Sequence, residues 1–268
     1  MLPRDSHIHS PYCPHGSADT MKAYAEKAAA SGFDSMTFTE HAPLPPSFTD
    51  PVPDRSSAMA LQDLESYLDA CEKIKRSYQN DITVLTGLEV DYIDGFQDET
   101  AEFLNQWGPH LDDSILSVHF LTVDRKAYTC LDFSPESFQS FIHEAGTLED
   151  VYMQYYDTVI RSIEADLGRY KPVRAGHITL VRKFQQLFPR SFDDGGMITN
   201  VLKAVNAAGM SLDINGAGLY KAHCSESYPP EEMILSAKKQ GIPLIYGSDA
   251  HHVSEIGQGY ETIHPLLR

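Results

Sequence analysis

Cysteine is scarce in this chain of 268 residues, and its four cysteines, Cys13, Cys71, Cys130 and Cys224, are widely spaced. None belongs to a C-x-x-C pair, and the spacing predicts no disulfide framework. Free thiols are typical of proteins kept in a reducing cytosol. The cysteines therefore favour a cytoplasmic protein.

Long apolar segments are also missing. No apolar run approaches the roughly 20 residues that a membrane-spanning helix needs. The first five residues, Met-Leu-Pro-Arg-Asp, contain no apolar core of the kind found in secretory signals. We therefore expect a cytoplasmic location and no membrane partner.

Basic residues are outnumbered: 21 Lys and Arg stand against 38 Asp and Glu, for a net charge of −17. Such an excess of negative charge argues against a nucleic-acid or anionic-membrane partner. It also repels a phosphate-containing substrate at long range. Bound divalent metal ions would reverse the sign of the charge locally.

Segments typical of strands alternate with segments typical of helices. The predicted strands are 5–10, 35–40, 82–91, 114–120, 173–178, 211–215 and 244–248, and the predicted helices are 18–31, 59–79, 148–167, 196–208 and 230–240. Gly32 and Gly241 follow two of the helices as expected stops. Seven strands with helical crossovers predict a mainly parallel sheet.

The length of the chain suits one α/β barrel, and neither an internal repeat nor a linker divides it. We therefore predict a single domain over residues 1–268 with a closed but irregular α/β barrel. Residues 42–57, rich in Pro, Ser and Asp, are expected to form a loop over the functional site.

Histidines and carboxylates stand at or just after the predicted strand ends. They are His7, His9, His15, His41, Glu89, His119, His177, Asp249 and His251. The ends of the strands of a barrel meet at one rim, and imidazole and carboxylate together hold Zn²⁺, Mn²⁺ or Fe²⁺. The pattern therefore predicts one metal centre.

The local evidence differs in strength from ligand to ligand. His7 and His9 face the same way, because side chains at i and i+2 share a face of a strand. Glu89 ends an apolar strand, where a carboxylate is costly unless it is paired or bound to a metal. A salt bridge is the alternative for Glu89, and Asp91 competes with it on the same face. His119 and His177, taken singly, are more typical of hydrogen-bonded core residues.

Together these residues resemble the PHP (polymerase and histidinol phosphatase) superfamily. The resemblance runs from His7 to His251, and the segments 7–16 and 38–46, HIHSPYCPHG and FTEHAPLPP, are similar to its histidinol-phosphatase branch. It implies a distorted (β/α)₇ barrel with two or three divalent metals at the C-terminal rim of the strands. The metals implied are zinc, manganese or iron.

The resemblance also implies how the ligands are shared. The first metal would take His7, His9, Glu89 and Asp249; the second Glu89, His119 and His177; the third His15, His41 and His251. Glu89 would bridge two metals, which makes Glu89 and Asp249 catalytic candidates. His252 is a candidate acid for the leaving group by adjacency alone, and a supporting residue behind the metal ligands is the favoured alternative. Arg182 is a candidate phosphate clamp or a solvated charge, and Asn215 a candidate for positioning water or substrate.

The function implied is a metal-dependent phosphomonoesterase acting on L-histidinol phosphate in histidine biosynthesis, by attack of metal-activated hydroxide on phosphorus. The alternatives are a PHP enzyme for a nucleotide or another small phosphate ester, and a non-catalytic metal-binding PHP module. The complete ligand set argues against the module. The metal, the oligomeric state and the residues that recognise the imidazole and ammonium stay open, with Asp50 and Asp54 more typical of a solvated loop.

Overall fold

The computed structural model describes residues 3–268 and contains nine strands. They are β1 (Arg4–Ile8), β2 (Ser35–His41), β3 (Thr83–Asp91), β4 (Ile115–Ser117), β5 (Phe120–Leu121), β6 (Thr129–Cys130), β7 (Arg174–Ala175), β8 (Ser211–Asn215) and β9 (Leu244–Gly247). Seven of them form a sheet in the order β1-β2-β3-β4-β7-β8-β9, and all of the pairings in this sheet are parallel. The remaining two, β5 and β6, form a small antiparallel hairpin that the sequence did not predict.

The two edges of the seven-stranded sheet approach each other. The backbone N–H of Asp249 donates to the carbonyl of His7 at 2.7 Å, and that of His9 donates to Ala250 at 2.9 Å. These bonds join the end of β1 to the segment that follows β9. The sheet is therefore a nearly closed barrel, which confirms the predicted distorted (β/α)₇ architecture.

Eight helices surround the barrel in the described part of the chain. They are α1 (Met21–Ala30), α2 (Leu64–Ser77), α3 (Gln97–Trp107), α4 (Pro135–Ala145), α5 (Leu148–Glu164), α6 (Gly195–Ala207), α7 (Glu231–Lys239) and α8 (Tyr260–Leu267). Five of them lie where helices were predicted. Gly32 and Gly241 follow α1 and α7 with φ angles of 83° and 77°, the left-handed conformation expected of a glycine stop.

The strands are buried on both faces, as parallel strands covered by helices usually are. Apolar side chains with no exposed surface include Ile8, Phe38, Leu88, Leu212 and Ile214. Burial of this kind makes polar residues on the same strands expensive unless they find partners. Several of the polar exceptions, among them His7, His41 and Glu89, gather at one end of the barrel and form the candidate site.

Two observations on the structure concern its cysteines and the length of its helices. All four cysteines are free and buried, as the absence of a disulfide framework predicted. Within residues 3–268, no helix combines the length and the apolar character needed to cross a membrane.

Candidate metal centre

The predicted ligands converge at the rim formed by the carboxyl ends of the strands. His7 lies on β1 and His9 just after it, while His41 and Glu89 lie on β2 and β3. The others lie just beyond a strand, except for His15 in the loop after β1; they are His119, His177, Asp249 and His251. Most of these side chains are buried, although Asp249 and His251 are half-buried and His15 is exposed.

Glu89 occupies the middle of this cluster. One of its carboxylate oxygens, Oε1, lies 2.8 Å from Nε2 of His177 and accepts a hydrogen bond of 2.6 Å from the hydroxyl of Ser117. The other, Oε2, lies 3.4 Å from Nε2 of His7 and 3.5 Å from Nε2 of His9. The two oxygens therefore face different groups of histidines.

Two of these groups have the spacing of metal ligands and share Glu89. The ligand atoms of His7, His9 and Glu89 lie within 4.8 Å of one another, and so do those of Glu89, His119 and His177. A carboxylate oxygen of Asp249 lies 3.2 Å from Nε2 of His9. The geometry therefore brings together the residues expected for the first two metals.

A third group lies on the side of the cluster nearest the loop after β1. The ligand atoms of His9, Cys13, His41 and His251 lie within 4.8 Å of one another. The ring of His15 is 5.1 Å from those of His41 and His251. Sequence reasoning missed the place of Cys13 here, although Cys13 stands between His9 and His15 in the chain.

Three of the histidines have a carboxylate behind the ring. In each case Nδ1 faces that carboxylate and Nε2 faces the cluster. The pairs are His7 with Asp213 at 3.0 Å, His9 with Glu40 at 3.3 Å and His119 with Asp91 at 2.7 Å. Such pairing fixes the orientation and the tautomer of a metal-binding imidazole. Asp213 was not predicted, and Asp91 contacts His119.

Burial and neighbouring charges have opposite effects on the pKa values of several residues in the cluster. Burial raises the pKa of Glu89 and Asp249, but the nearby histidines outweigh it and hold both pKa values well below their usual range. Burial lowers the pKa of His9 and His119, yet the carboxylates raise these values to about 9 and about 10. Glu89 and Asp249 are therefore ionised beside the protonated His9 and His119.

Four imidazole nitrogens are buried without a hydrogen-bond partner in the described part of the chain. They are Nε2 of His7, Nε2 of His9, Nδ1 of His41 and Nδ1 of His177. Buried polar atoms are rarely left unpaired. Imidazole nitrogen and carboxylate oxygen are the donors that borderline divalent metals take. The residues present therefore fit divalent metal ions.

Arg182 does not reach the centre. Its guanidinium is bound on both sides by Asp194, at 3.0 and 2.6 Å, and by Glu226 at 2.9 Å. The side chain is only 5% exposed and does not line the cavity in front of the centre. The prediction of a phosphate clamp is wrong for this geometry, and the alternative of a solvated charge is wrong as well. The short 3₁₀ turn at Leu180–Arg182 turns this side chain towards α6.

Asn215 and His252 lie close to the last ligands. The side-chain N–H of the fully buried Asn215 donates to Asp249 at 3.0 Å, so Asn215 holds the carboxylate of this candidate ligand in place. Asp249 itself has a φ angle of 55°, which Asp tolerates better than most residues. His252 is exposed at the wall of the cavity.

The centre opens into a cavity of about 400 Å³. Its wall includes Val52, Ser56 and Ser57 from the loop predicted to cover the site, together with Phe120 and Leu180.

The acidic residues of the same loop have other partners. Asp50 accepts hydrogen bonds from the backbone of Val52 and Ser57, and Asp54 accepts one from the hydroxyl of Ser56. Neither carboxylate lines the cavity, so both shape the loop.

The sequence places the chain in a known family. Residues 5–217 match the model of the PHP domain, and residues 234–265 match that of the PHP-associated segment. The chain therefore belongs to the PHP family of metal-site barrels. Among its relatives, the histidinol-phosphatase of Bacillus subtilis (strain 168) is 51% identical over 263 residues, which span 97% of this chain and 98% of that protein.

Solved structures agree with this placement. A protein from Listeria monocytogenes, described as a candidate histidinol phosphatase, superposes with a TM-score of 0.91 at 38% identity, covering 97% of this chain and 99% of its own. The histidinol phosphate phosphatase of Lactococcus lactis, solved with zinc, L-histidinol and phosphate, superposes with a TM-score of 0.72 at 17% identity, covering 99% and 92% of the two chains. The second likeness shows a shared fold.

Proposed function

We propose that this protein is a metal-dependent phosphomonoesterase that hydrolyses L-histidinol phosphate to L-histidinol and phosphate. The observation that carries the reaction class is Glu89, whose two oxygens face two groups of metal-type ligands. The substrate follows from the 51% identity to the Bacillus histidinol-phosphatase over nearly the whole of both chains. Because ligands before α1 and after β9 serve one centre, we also infer that the barrel acts as one domain.

The proposed ligand sets are those that the family resemblance implies. His7, His9, Glu89 and Asp249 hold the first metal; Glu89, His119 and His177 the second; His15, His41 and His251 the third. The spacing of the first two groups and the unpartnered nitrogens of His7 and His9 support this assignment. Zinc, manganese and iron all suit imidazole and carboxylate donors.

Bound divalent metals would supply Lewis acidity, activating water and neutralising phosphate charge. The protein's part is to fix the geometry. Glu89 would serve both of the first two metals, because its two oxygens face different groups of histidines. Asp213, Glu40 and Asp91 orient three imidazoles from behind, and Asn215 holds Asp249. His252, exposed at the cavity wall, is the proposed proton donor to the leaving alkoxide.

A cavity of about 400 Å³ is of the size expected for a small-molecule ligand. The net charge of −17 disfavours a nucleic-acid polymer as the substrate. A small phosphate ester therefore suits both the size of the cavity and the charge of the protein.

A substrate panel tests the proposal. The purified protein is assayed at a fixed concentration of added metal with L-histidinol phosphate, AMP and p-nitrophenyl phosphate, with and without a chelator. We expect kcat/KM to be highest for L-histidinol phosphate by a large factor and to collapse with the chelator. Equal rates on AMP would refute the substrate, and undiminished rates with the chelator would refute the metal dependence. Absence of all hydrolysis would favour the non-catalytic module.

The bridging role of Glu89 has its own test. Glu89→Gln keeps the shape of the side chain but removes the anionic charge that two metals share. We expect turnover to fall nearly to background while the fold persists. Metal content and turnover are measured on the same sample. Full metal occupancy with undiminished turnover would rule out the bridge.

A further inference from the structure

Arg182 and Lys183 are adjacent in the sequence, but their cationic side chains lie in different parts of the structure. Arg182 is bound by Asp194 and Glu226 and lies outside the cavity. The ammonium group of Lys183 donates to the carbonyl oxygen of Asp132 at 2.7 Å and to its carboxylate at 2.8 Å, and Lys183 lines the cavity. Of these two adjacent cations, only Lys183 therefore lines the cavity in front of the metal centre.

The Lys183 ammonium is both fixed and available. An ammonium group has three N–H donors, and Asp132 takes two of them. The side chains of Lys183 and Asp132 are 22% and 20% exposed, on the wall of the cavity. One donor is therefore free to meet a ligand there.

The charges around this pair place it beside the metal ligands. Burial lowers the pKa of Lys183, but Asp132 outweighs it, and Asp249 acts in the same direction, so the pKa is raised. Burial raises the pKa of Asp132, but Lys183, His119 and His177 together hold it far below its usual value. The pair is ionised at neutral pH. It lies close enough to Asp249, His119 and His177 to interact with their charges.

A second donor stands on the same wall. Tyr228 lines the cavity, and its hydroxyl is buried and has no hydrogen-bond partner of ordinary geometry in the described part of the chain. The thiol of Cys224, a weak hydrogen-bonding group, is close enough to interact with it. The backbone of Tyr228 pairs with that of Asn215, the residue that holds Asp249. Tyr228 is therefore anchored beside the centre by its backbone, with only a weak partner for its hydroxyl.

We propose that Lys183, held by Asp132, and the hydroxyl of Tyr228 bind the phosphate group of the substrate in the cavity beside the metal ligands. This inference rests on the proposed phosphatase function. A phosphate dianion supplies acceptor oxygens for both donors and an opposite charge for Lys183. The ammonium of histidinol would be repelled by Lys183 and offers Tyr228 no acceptor. Lys183 therefore takes the role that the sequence had suggested for its neighbour.

The test separates the two products, inorganic phosphate and L-histidinol, as inhibitors. In Lys183→Met we expect the inhibition constant of phosphate and the KM of the ester to rise by roughly tenfold to hundredfold, as loss of a charge-assisted hydrogen bond implies. The inhibition constant of L-histidinol should stay within about threefold, since this alcohol carries no phosphate. Tyr228→Phe should shift the phosphate constant in the same direction by a smaller factor.

Two further variants distinguish binding from a structural role. Lys221 also lines the cavity, so Lys221→Met makes the same change of charge and should leave the phosphate constant within about threefold. The double variant Asp132→Asn with Lys183→Met removes the unpaired carboxylate that the single variant leaves. If Lys183 serves only as the partner of Asp132, the double variant regains the affinity for phosphate, and the proposal is overturned.

The assignment of L-histidinol phosphate as the substrate can be refuted independently of the role of Lys183. Wild-type protein that phosphate inhibits and L-histidinol does not would refute the histidinol assignment. The phosphate constants of the variants would still decide the role of Lys183. An unchanged phosphate constant in folded, metal-loaded Lys183→Met would overturn that role even if L-histidinol phosphate is the substrate.

Discussion

Nδ1 of His7 lies 3.0 Å from a carboxylate oxygen of Asp213, although 206 residues separate the two in the sequence. His7 lies on β1 and Asp213 on β8, and neither side chain has any exposed surface. The contact fixes the imidazole with Nε2 directed at Glu89, 3.4 Å away. A residue outside the proposed ligand set thus fixes the orientation of a proposed metal ligand.

Asp213→Asn should weaken metal binding while the fold persists. The amide keeps the shape of the side chain but loses the charge that makes His7 a stronger donor. Loss of such a partner typically costs about 10–100-fold in metal affinity or activity. Competition with a chelating dye measures the affinity, and Glu72→Gln, at an exposed ion pair on α2, is the control. Equal affinities in the two variants would contradict the orienting role.

Gly247→Ala should disturb the same pair through sterics. A Cβ atom at Gly247 would overlap Cβ of His7 and lie 2.8 Å from a carboxylate oxygen of Asp213. We expect lower metal content and a lower Tm, because His7 must move away from its partner. At Gly196 in α6 a Cβ meets nothing within 4 Å, and Gly196→Ala should stabilise by about 0.4–1 kcal/mol. Normal metal content in Gly247→Ala would show that β9 can shift far enough to accommodate the added Cβ atom without moving His7.

Metal binding should release protons and strengthen as the pH rises. The pKa values of His9 and His119 are raised to about 9 and about 10, so both are protonated at pH 7.5 before the metal binds. A ligand imidazole must lose its proton at the ligating nitrogen, so these two alone release about two protons. Calorimetry in buffers of different ionisation enthalpy counts them.

Asp91→Asn is the matched variant for that count. Burial has the largest effect on the pKa of His119 and lowers it. Asp91 has the next largest effect and raises this pKa. Without this carboxylate, roughly one proton fewer should be released at pH 7.5. Heats of binding that do not depend on the buffer would contradict the protonated state of both histidines.

Much of the centre was visible in the sequence because its ligands follow a local rule. His7 and His9 share a strand face at i and i+2, and Glu89 interrupts an apolar strand, so each can be recognised from the few residues around it. The carboxylates that orient the histidines cannot be recognised in this way. Asp213 meets His7 only because β8 and β1 come close in the barrel, and no local pattern records that approach.

The fold shows the same division. Segments with a clear apolar period, such as α2, or with a recognised glycine stop, such as α1, were predicted, whereas α3, α4 and α8 were not. Each of these three helices buries only one or two side chains, so its apolar period is weak. The first turn of α4 begins after Ser134, whose side chain accepts from the N–H of Ser137, a local signal that could have located it.

Arg182→Ala should lower stability and leave catalysis per folded molecule unchanged. The guanidinium is buried against Asp194, which also accepts from the hydroxyl of Tyr156 at 2.8 Å. Removing one partner of a buried ion pair leaves an uncompensated charge and costs about 3–5 kcal/mol. For a chain of this size, that corresponds to a fall in Tm of roughly 5–15 °C. Arg182→Ala/Asp194→Ala, which removes both partners, should lose less than the sum of the two single variants. Lys183→Met is the contrasting variant, because its expected effect falls on KM. If Arg182→Ala instead lowered kcat/KM at an unchanged Tm, the guanidinium would have to reach the substrate, and the buried pair with Asp194 would not describe the working enzyme.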